Sequence, residues 1–142
     1  MIESVRGIRT LEGIDAKKYM KVVSSFHNLC VKNNFELIIL PTIEKLELFS
    51  RTVGEFSDIV TKQMYNFTDK KGRELVLRPE GTAGVMRNYI DKKYDIEKMY
   101  FYSEQMFRYE RPQKGRFREF HQVGAEIVGS TDRNIESISN IV

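Results

Sequence analysis

The sequence has little of what marks secreted, thiol-ligated or membrane-embedded proteins. A single cysteine, Cys30, stands among 142 residues. That excludes an internal disulfide framework and any metal cluster built on several thiolates. Tryptophan is absent, and proline occurs three times, at Pro41, Pro79 and Pro112, so no proline-rich linker divides the chain. No apolar run approaches the roughly 18 residues that a membrane span requires. The opening Met1-Ile2-Glu3-Ser4-Val5-Arg6 carries no apolar stretch of the kind found in a signal peptide. The expectation is a cytoplasmic protein with no membrane partner. Cys30 itself reads as a small buried hydrophobe in a helix.

What is present suits one globular domain: 142 residues, 41% hydrophobic and 30% charged, near the commonest domain size. A net charge of +3 and a pI near 8.9 say little alone. The distribution says more. Arg108, Arg111, Lys114, Arg116 and Arg118 crowd a stretch whose only acids are Glu110 and Glu119. Guanidinium groups pair with phosphate in a planar, bidentate way, so this stretch suggests contact with a polyphosphate or RNA, against the plainer reading of a solvated basic loop.

Periodicity places the elements. Tyr19, Met20, Val22, Val23, Phe26, Leu29 and Cys30 recur at three- and four-residue steps, which predicts a helix over 15–33 with Asp15 as N-cap. Phe35-Glu36-Leu37-Ile38-Ile39-Leu40 reads as a buried strand ended by Pro41. A short helix is expected over 45–52, ending near Gly54. Strands at 64–67 and 74–78 flank Asp69-Lys70-Lys71-Gly72, a hairpin turn closed by glycine. A helix over 82–92, a short strand over 99–102 and the first turns of a helix over 131–142 complete the pass.

The chemistry concentrates in 105–129. Strands over 105–110 and 116–128, joined by 111–115, would alternate side chains between two faces. Arg108 and Glu110 then share a face on the first strand. Arg116, Arg118, Phe120, Gln122, Gly124 and Glu126 share one on the second, while Phe117, Val123, Ala125 and Ile127 face the core. A polar outer face is common in antiparallel sheets. This one, however, gathers arginines, an aromatic, an amide and a carboxylate around a glycine. Glycine inside a strand often marks close approach by a ligand or another backbone, and a lone aromatic is a stacking platform for a base. The pattern favours a nucleotide with a small polar co-substrate. His121 falls on the core-side parity, which suggests a structural role, and Glu55 with Asp58 reads as helix capping rather than a metal site.

Phe107-Arg108-Tyr109-Glu110 followed by Arg116-Phe117-Arg118-Glu119-Phe120 resembles motif 2 of class II aminoacyl-tRNA synthetases. Arg108-Tyr109-Glu110-Arg111-Pro112-Gln113-Lys114-Gly115-Arg116, Leu77-Arg78-Pro79-Glu80-Gly81-Thr82-Ala83 and His121-Gln122-Val123-Gly124-Ala125-Glu126 are similar to the histidyl-tRNA synthetase branch. Leu40-Pro41-Thr42-Ile43-Glu44, Leu48-Phe49 and Val53-Gly54-Glu55 resemble motif 1, the dimer-forming element.

The resemblance implies an α+β fold: the amino-terminal part of a class II catalytic domain, an antiparallel sheet flanked by helices. It implies ATP with Mg²⁺, histidine and histidine tRNA as partners, and a homodimer formed around 35–49. By position, Arg108 would be catalytic, holding the ATP α-phosphate and the histidine carboxylate. Glu110 would face the adenine amino group, Phe120 would stack on the ring and Arg116 would reach the γ-phosphate. Glu80, Thr82, Gln122 and Glu126 would bind the α-amino group and imidazole. No protein metal ligands are implied.

Two departures from the family pattern stand out. Glu104-Gln105 occupies the place of a usual Gly-Pro pair, and motif 3, the later histidine-specific segments and an anticodon-binding domain have no counterpart in these 142 residues. The expectation is a part-enzyme, inactive alone. The alternatives are a catalytically silent relative, such as the regulatory subunit of ATP phosphoribosyltransferase, and a dimerisation or RNA-binding module.

Overall fold

A computed structural model describes residues 2–52 and 63–129. Helix α1 spans Gly13–Lys32 and starts earlier than the sequence suggests. Its N-cap is Glu12, and Asp15 lies in the first turn, where a carboxylate meets the positive end of the helix dipole. The apolar stripe divides: Tyr19, Val23, Phe26 and Cys30 turn inward, while Met20, Val22 and Leu29 stay exposed. The helix ends where the Asn33 side-chain amide donates to the Leu29 carbonyl at 2.8 Å.

Three strands form the main sheet in the order β1-β5-β6. Strand β1 (Glu36–Leu37) runs parallel to β5 (Lys98–Phe107), and β5 runs antiparallel to β6 (Glu119–Val128). The sheet is therefore mixed. The expected buried strand over 35–40 shrinks to Glu36–Leu37, with one further bond from the Ile38 N–H to the Phe101 carbonyl at 2.9 Å; Leu37 is 51% and Ile39 79% exposed, and only Leu40 is buried.

Strand β5 is one continuous element where the sequence suggested two. Ser103, Glu104 and Gln105 interrupt its apolar pattern, yet each pairs in register with Val123, Gln122 and His121 of β6. Strand β6 begins at Glu119 rather than at 116. Arg108 lies just past β5, adding one rung where its backbone N–H donates to the Arg118 carbonyl at 2.9 Å.

A smaller sheet, β2-β4-β3, is wholly antiparallel. It contains β2 (Ile43–Lys45), β3 (Asn66–Thr68) and β4 (Glu74–Leu77). The β3–β4 turn follows its local chemistry. The Asp69 carboxylate accepts the backbone N–H groups of Lys71 and Arg73 at 2.8 and 3.0 Å, and Gly72 supplies φ +77°. Helix α2 (Leu46–Thr52) sends Phe49 into a core with Met64, Val76 and Ala83. The expected helix end near Gly54, the Val53-Gly54-Glu55 part of motif 1, Glu55 with Asp58, and the helix over 131–142 lie outside the described residues.

Helix α3 (Thr82–Asp91) covers the main-sheet face that carries Tyr100, Tyr102 and Met106, with Val85 in that core. Helix α1 covers the opposite face, where Phe26 and His27 meet Phe101 edge-on at 6.2 and 5.1 Å. Helices thus lie on both faces, because β5 presents large apolar side chains in both directions. His121 packs beside Tyr19, ring centroids 4.4 Å apart, on the α1 side that its parity indicated.

Candidate active site

Register brings the site face together. Pairing of Tyr100, Tyr102, Glu104 and Met106 with Glu126, Gly124, Gln122 and Phe120 puts these eight residues on one side of the β5–β6 ribbon, facing α3. The α3 N-terminus lies across it, and there Thr82 Oγ1 donates to Glu126 Oε1 at 2.7 Å. Glu80 turns back to the helix, its Oε1 accepting the Ala83 backbone N–H at 3.0 Å. This satisfies one of the free donors of the first turn.

Tyr102 joins this cluster, although the sequence did not single it out. Its hydroxyl lies 3.4 Å from Glu126 Oε1 and 3.3 Å from Gln122 Nε2. A Cβ at either Gly81 or Gly124 would overlap its ring. Gly124 therefore makes room for a neighbouring side chain, and the close approach that its place in a strand suggested is by Tyr102 rather than by a ligand. The available signal was the pair of glycines, one before α3 and one in β6, with a large aromatic between them. Burial, and then the Glu126 charge, raise the phenol pKa far above its ordinary value, so the group stays neutral.

Arg108 is placed by two contacts. Its Nε donates to the Pro79 carbonyl at 2.9 Å, and its guanidinium carbon lies 5.0 Å from the Phe120 ring centroid, a cation–π distance. The loop carrying Pro79 is itself clamped. Arg78, 3% exposed, donates to the carbonyls of Gln105 and Leu40 at 2.8 and 2.5 Å and pairs with Glu104 at 2.8 Å. The Glu104-Gln105 departure from the usual family pair thus provides the counter-ion of a buried arginine.

Glu110 and Arg116 form an ion pair, and this contact holds the Glu110 carboxyl below the usual carboxylate range. The tip of the β5–β6 loop is a tight turn, with Gln113 and Arg116 exchanging backbone hydrogen bonds at 3.1 and 2.9 Å. Arg118 braces the loop: its Nε donates to the Glu110 carbonyl at 3.0 Å, and its guanidinium lies over Tyr109 at 4.1 Å. It does not project with Phe120 and Gln122 as an unbroken strand would have required.

The named residues thus gather into two neighbouring groups. One is Thr82, Gln122 and Glu126, joined by Tyr102, with Glu80 at the same helix end. The other is Arg108 over Phe120, with the Glu110–Arg116 pair beyond. A cleft of about 1150 Å³ has Glu80, Thr82, Arg108 and Glu110 on its wall. Gln122, Glu126 and Phe120 are not part of that wall. Acceptor groups at the first cluster suit a cationic or N–H-bearing ligand, and the guanidinium groups of the second suit phosphates.

The histidyl-tRNA synthetase family model matches residues 7–142. The chain is 50% identical to the histidine–tRNA ligase of Aquifex aeolicus over 139 residues, covering 96% of this chain and 34% of that protein. It is 51% identical to that of Campylobacter hominis over 129 residues, covering 89% and 32%. The chain therefore spans about a third of the length of these relatives. A crystal structure of apo S. aureus histidyl-tRNA synthetase superposes with TM-score 0.76 at 31% identity, over 96% of this chain and 32% of that one. A Bacillus halodurans structure, titled as an ATP phosphoribosyltransferase regulatory subunit/histidyl-tRNA synthetase, superposes at 0.82 with 21% identity, over 97% of this chain and 35% of that one, which speaks to the fold alone. With the family model matching all but the first six residues and relatives at about 50% identity, the chain belongs to the histidyl-tRNA synthetase family.

Proposed function

We propose that this chain forms the motif 1, motif 2 and histidine-binding portion of a histidine–tRNA ligase. The observation that carries this reading is the placement of Arg108, held at the Pro79 carbonyl, beside the Thr82–Glu126 cluster. A carboxylate and an amide can satisfy an imidazole and an ammonium, while an adjacent guanidinium meets the carboxylate of the same amino acid. In the first step a histidine carboxylate oxygen attacks the α-phosphorus of ATP. A new P–O bond forms, the α–β bridging P–O bond breaks, and pyrophosphate leaves with that electron pair. Arg108 stabilises the charge that grows on the α-phosphate, so catalysis is by positioning and electrostatics. In the second step a tRNA hydroxyl attacks the acyl carbon and AMP departs.

ATP makes demands on the second cluster. Phe120, half-buried beneath Arg108, offers ring surface to adenine. Glu110 and Arg116 now satisfy each other, and they part when one meets the adenine amino group and the other the γ-phosphate. Mg²⁺ would be held mainly by the ATP phosphates and would offset their charge, and no side chain among the described residues is assigned to it. The joint presence of Arg108, Glu110, Arg116 and Phe120 favours the ligase over a histidine-sensing regulatory subunit, which needs no such grip on ATP. These 142 residues supply part of the ATP site, and we do not expect them to turn over alone. The deciding experiment is histidine-dependent ATP–pyrophosphate exchange by the full-length protein. Label should enter ATP with histidine present and not with the other amino acids. Exchange that ignores histidine, or none at all, would defeat the reading.

The homodimer belongs to the same proposal, with its surface revised. Phe49 is buried in the small-sheet core, so the contact draws on exposed Leu37 and Ile39 instead. Burying an isoleucine contributes about 1.5–3 kcal/mol, and a twofold interface counts it twice. Ile39→Lys should therefore weaken the dimer at least about tenfold, roughly 1.4 kcal/mol. Light scattering across a dilution series measures this, and a dimer unmoved by the change would remove 35–40 from the interface.

A further inference from the structure

We infer that Tyr102 is a positioning residue that orients the Gln122 amide in the amino-acid pocket, so that its carbonyl, with Glu126 Oε2, faces the N–H groups of the ligand. The inference rests on the histidine-binding role proposed above. It begins with one proton. Tyr102 is 1% exposed and wedged between Gly81 and Gly124, so its hydroxyl has little freedom to find other partners. Burial keeps the phenol protonated, which gives it a single hydrogen to donate.

Three polar side chains surround that hydrogen, and Thr82 spends its own on Glu126 Oε1 at 2.7 Å, so Glu126 and Gln122 are left to compete for it unequally. An ionised Glu126 carboxylate can only accept, so the phenol hydrogen goes to Glu126 Oε1, 3.4 Å away. Toward Gln122 the phenol oxygen is then left as an acceptor, and it needs an N–H group there. That requirement fixes which way the amide faces: Nε2 toward Tyr102, at 3.3 Å. The amide carbonyl is thereby left to serve a ligand. Glu126 is sorted in the same way. Its Oε1 already accepts from Thr82 at 2.7 Å as well as from Tyr102, leaving Oε2 for the ligand.

A pocket so arranged turns two acceptors of this pair toward the ligand, the Gln122 carbonyl and Glu126 Oε2, while one Gln122 N–H is held by Tyr102. An imidazole N–H and an α-ammonium both fit it, while a side chain whose outward atoms are all acceptors leaves them unmatched. The specificity arises behind the two residues that touch the ligand, in a hydroxyl that does not.

The test is Tyr102→Phe in the full-length protein. It keeps the ring against both glycines and removes only the hydroxyl. Loss of a hydrogen bond that orders a charged group should raise the KM for histidine about 10- to 100-fold in pyrophosphate exchange, with the KM for ATP within about twofold. Without the phenol the amide can rotate, so discrimination between histidine and its ring-N-methylated analogues should also fall. A purely structural residue would shift both KM values together and lower the melting temperature. That outcome overturns the inference, as does an unchanged KM for histidine with unchanged discrimination. Should the unaltered protein fail to activate histidine, the proposed function falls and this inference with it. Histidine activation by the parent with no effect of the variant overturns the inference alone.

Discussion

Replacing Arg78 by methionine is expected to cost about 3–5 kcal/mol of stability, the usual consequence of removing one partner from a buried ion pair. The reason lies in what remains. Glu104, whose side chain is 16% exposed, would keep its charge with no counter-ion. The carbonyls of Leu40 and Gln105 would lose the donors that now reach them. Glu104→Gln should cost less, about 1–2 kcal/mol, since an amide oxygen still accepts from the guanidinium. Adding Glu104→Leu to Arg78→Met should restore part of the loss, because neither charge is then stranded. Urea unfolding of the three variants measures the series. A loss below about 1 kcal/mol for Arg78→Met would mean that the pair is hydrated and does not brace the loop that carries Pro79 and Glu80.

That ion pair also shows where sequence reasoning stops. Strand β5 reads as two pieces because Ser103, Glu104 and Gln105 interrupt an apolar pattern, and local periodicity has no term for a partner 26 residues away. The β3–β4 hairpin was legible because its signal is local: Asp69 and Gly72 sit within the turn that they make. The inward face of α1 was legible from its spacing, but the sequence could not show that the sheet covers only part of the stripe. The strand over 35–40 failed for the opposite reason. An apolar run predicts burial, yet Leu37 and Ile39 stand exposed, leaving apolar surface that a partner could cover.

At the site, parity over β6 correctly placed Phe120, Gln122 and Glu126 on one face, since a continuous ladder enforces alternation. Arg118 precedes the first residue of β6, and its side chain is held by the Tyr109 ring and the Glu110 carbonyl instead. Tyr102 went unnoticed for a different reason. A buried tyrosine in a strand looks like core, and only the cross-strand register reveals that its hydroxyl ends among Thr82, Gln122 and Glu126.

Arg108→Ala in the full-length protein should lower histidine-dependent pyrophosphate exchange by about 10²–10³, equivalent to roughly 3–4 kcal/mol, by analogy with loss of one oxyanion donor. Stability should change little. Arg108 lies beyond the end of β5, half-buried, and its side-chain partners are a carbonyl and a ring face. Truncation therefore strands no charge and opens no closed cavity. Arg118→Ala is the matched control, an arginine of the same loop committed to bracing it against Tyr109 and the Glu110 carbonyl. It should cost about tenfold or less, through a looser loop. The two mechanisms separate kinetically: a contact made in the transition state lowers kcat and kcat/KM together, whereas a loosened loop raises the KM for ATP. Near-normal exchange by Arg108→Ala would remove it from the chemistry. Equal losses from both arginines would mean that the loop acts through its shape, with no privileged guanidinium within it.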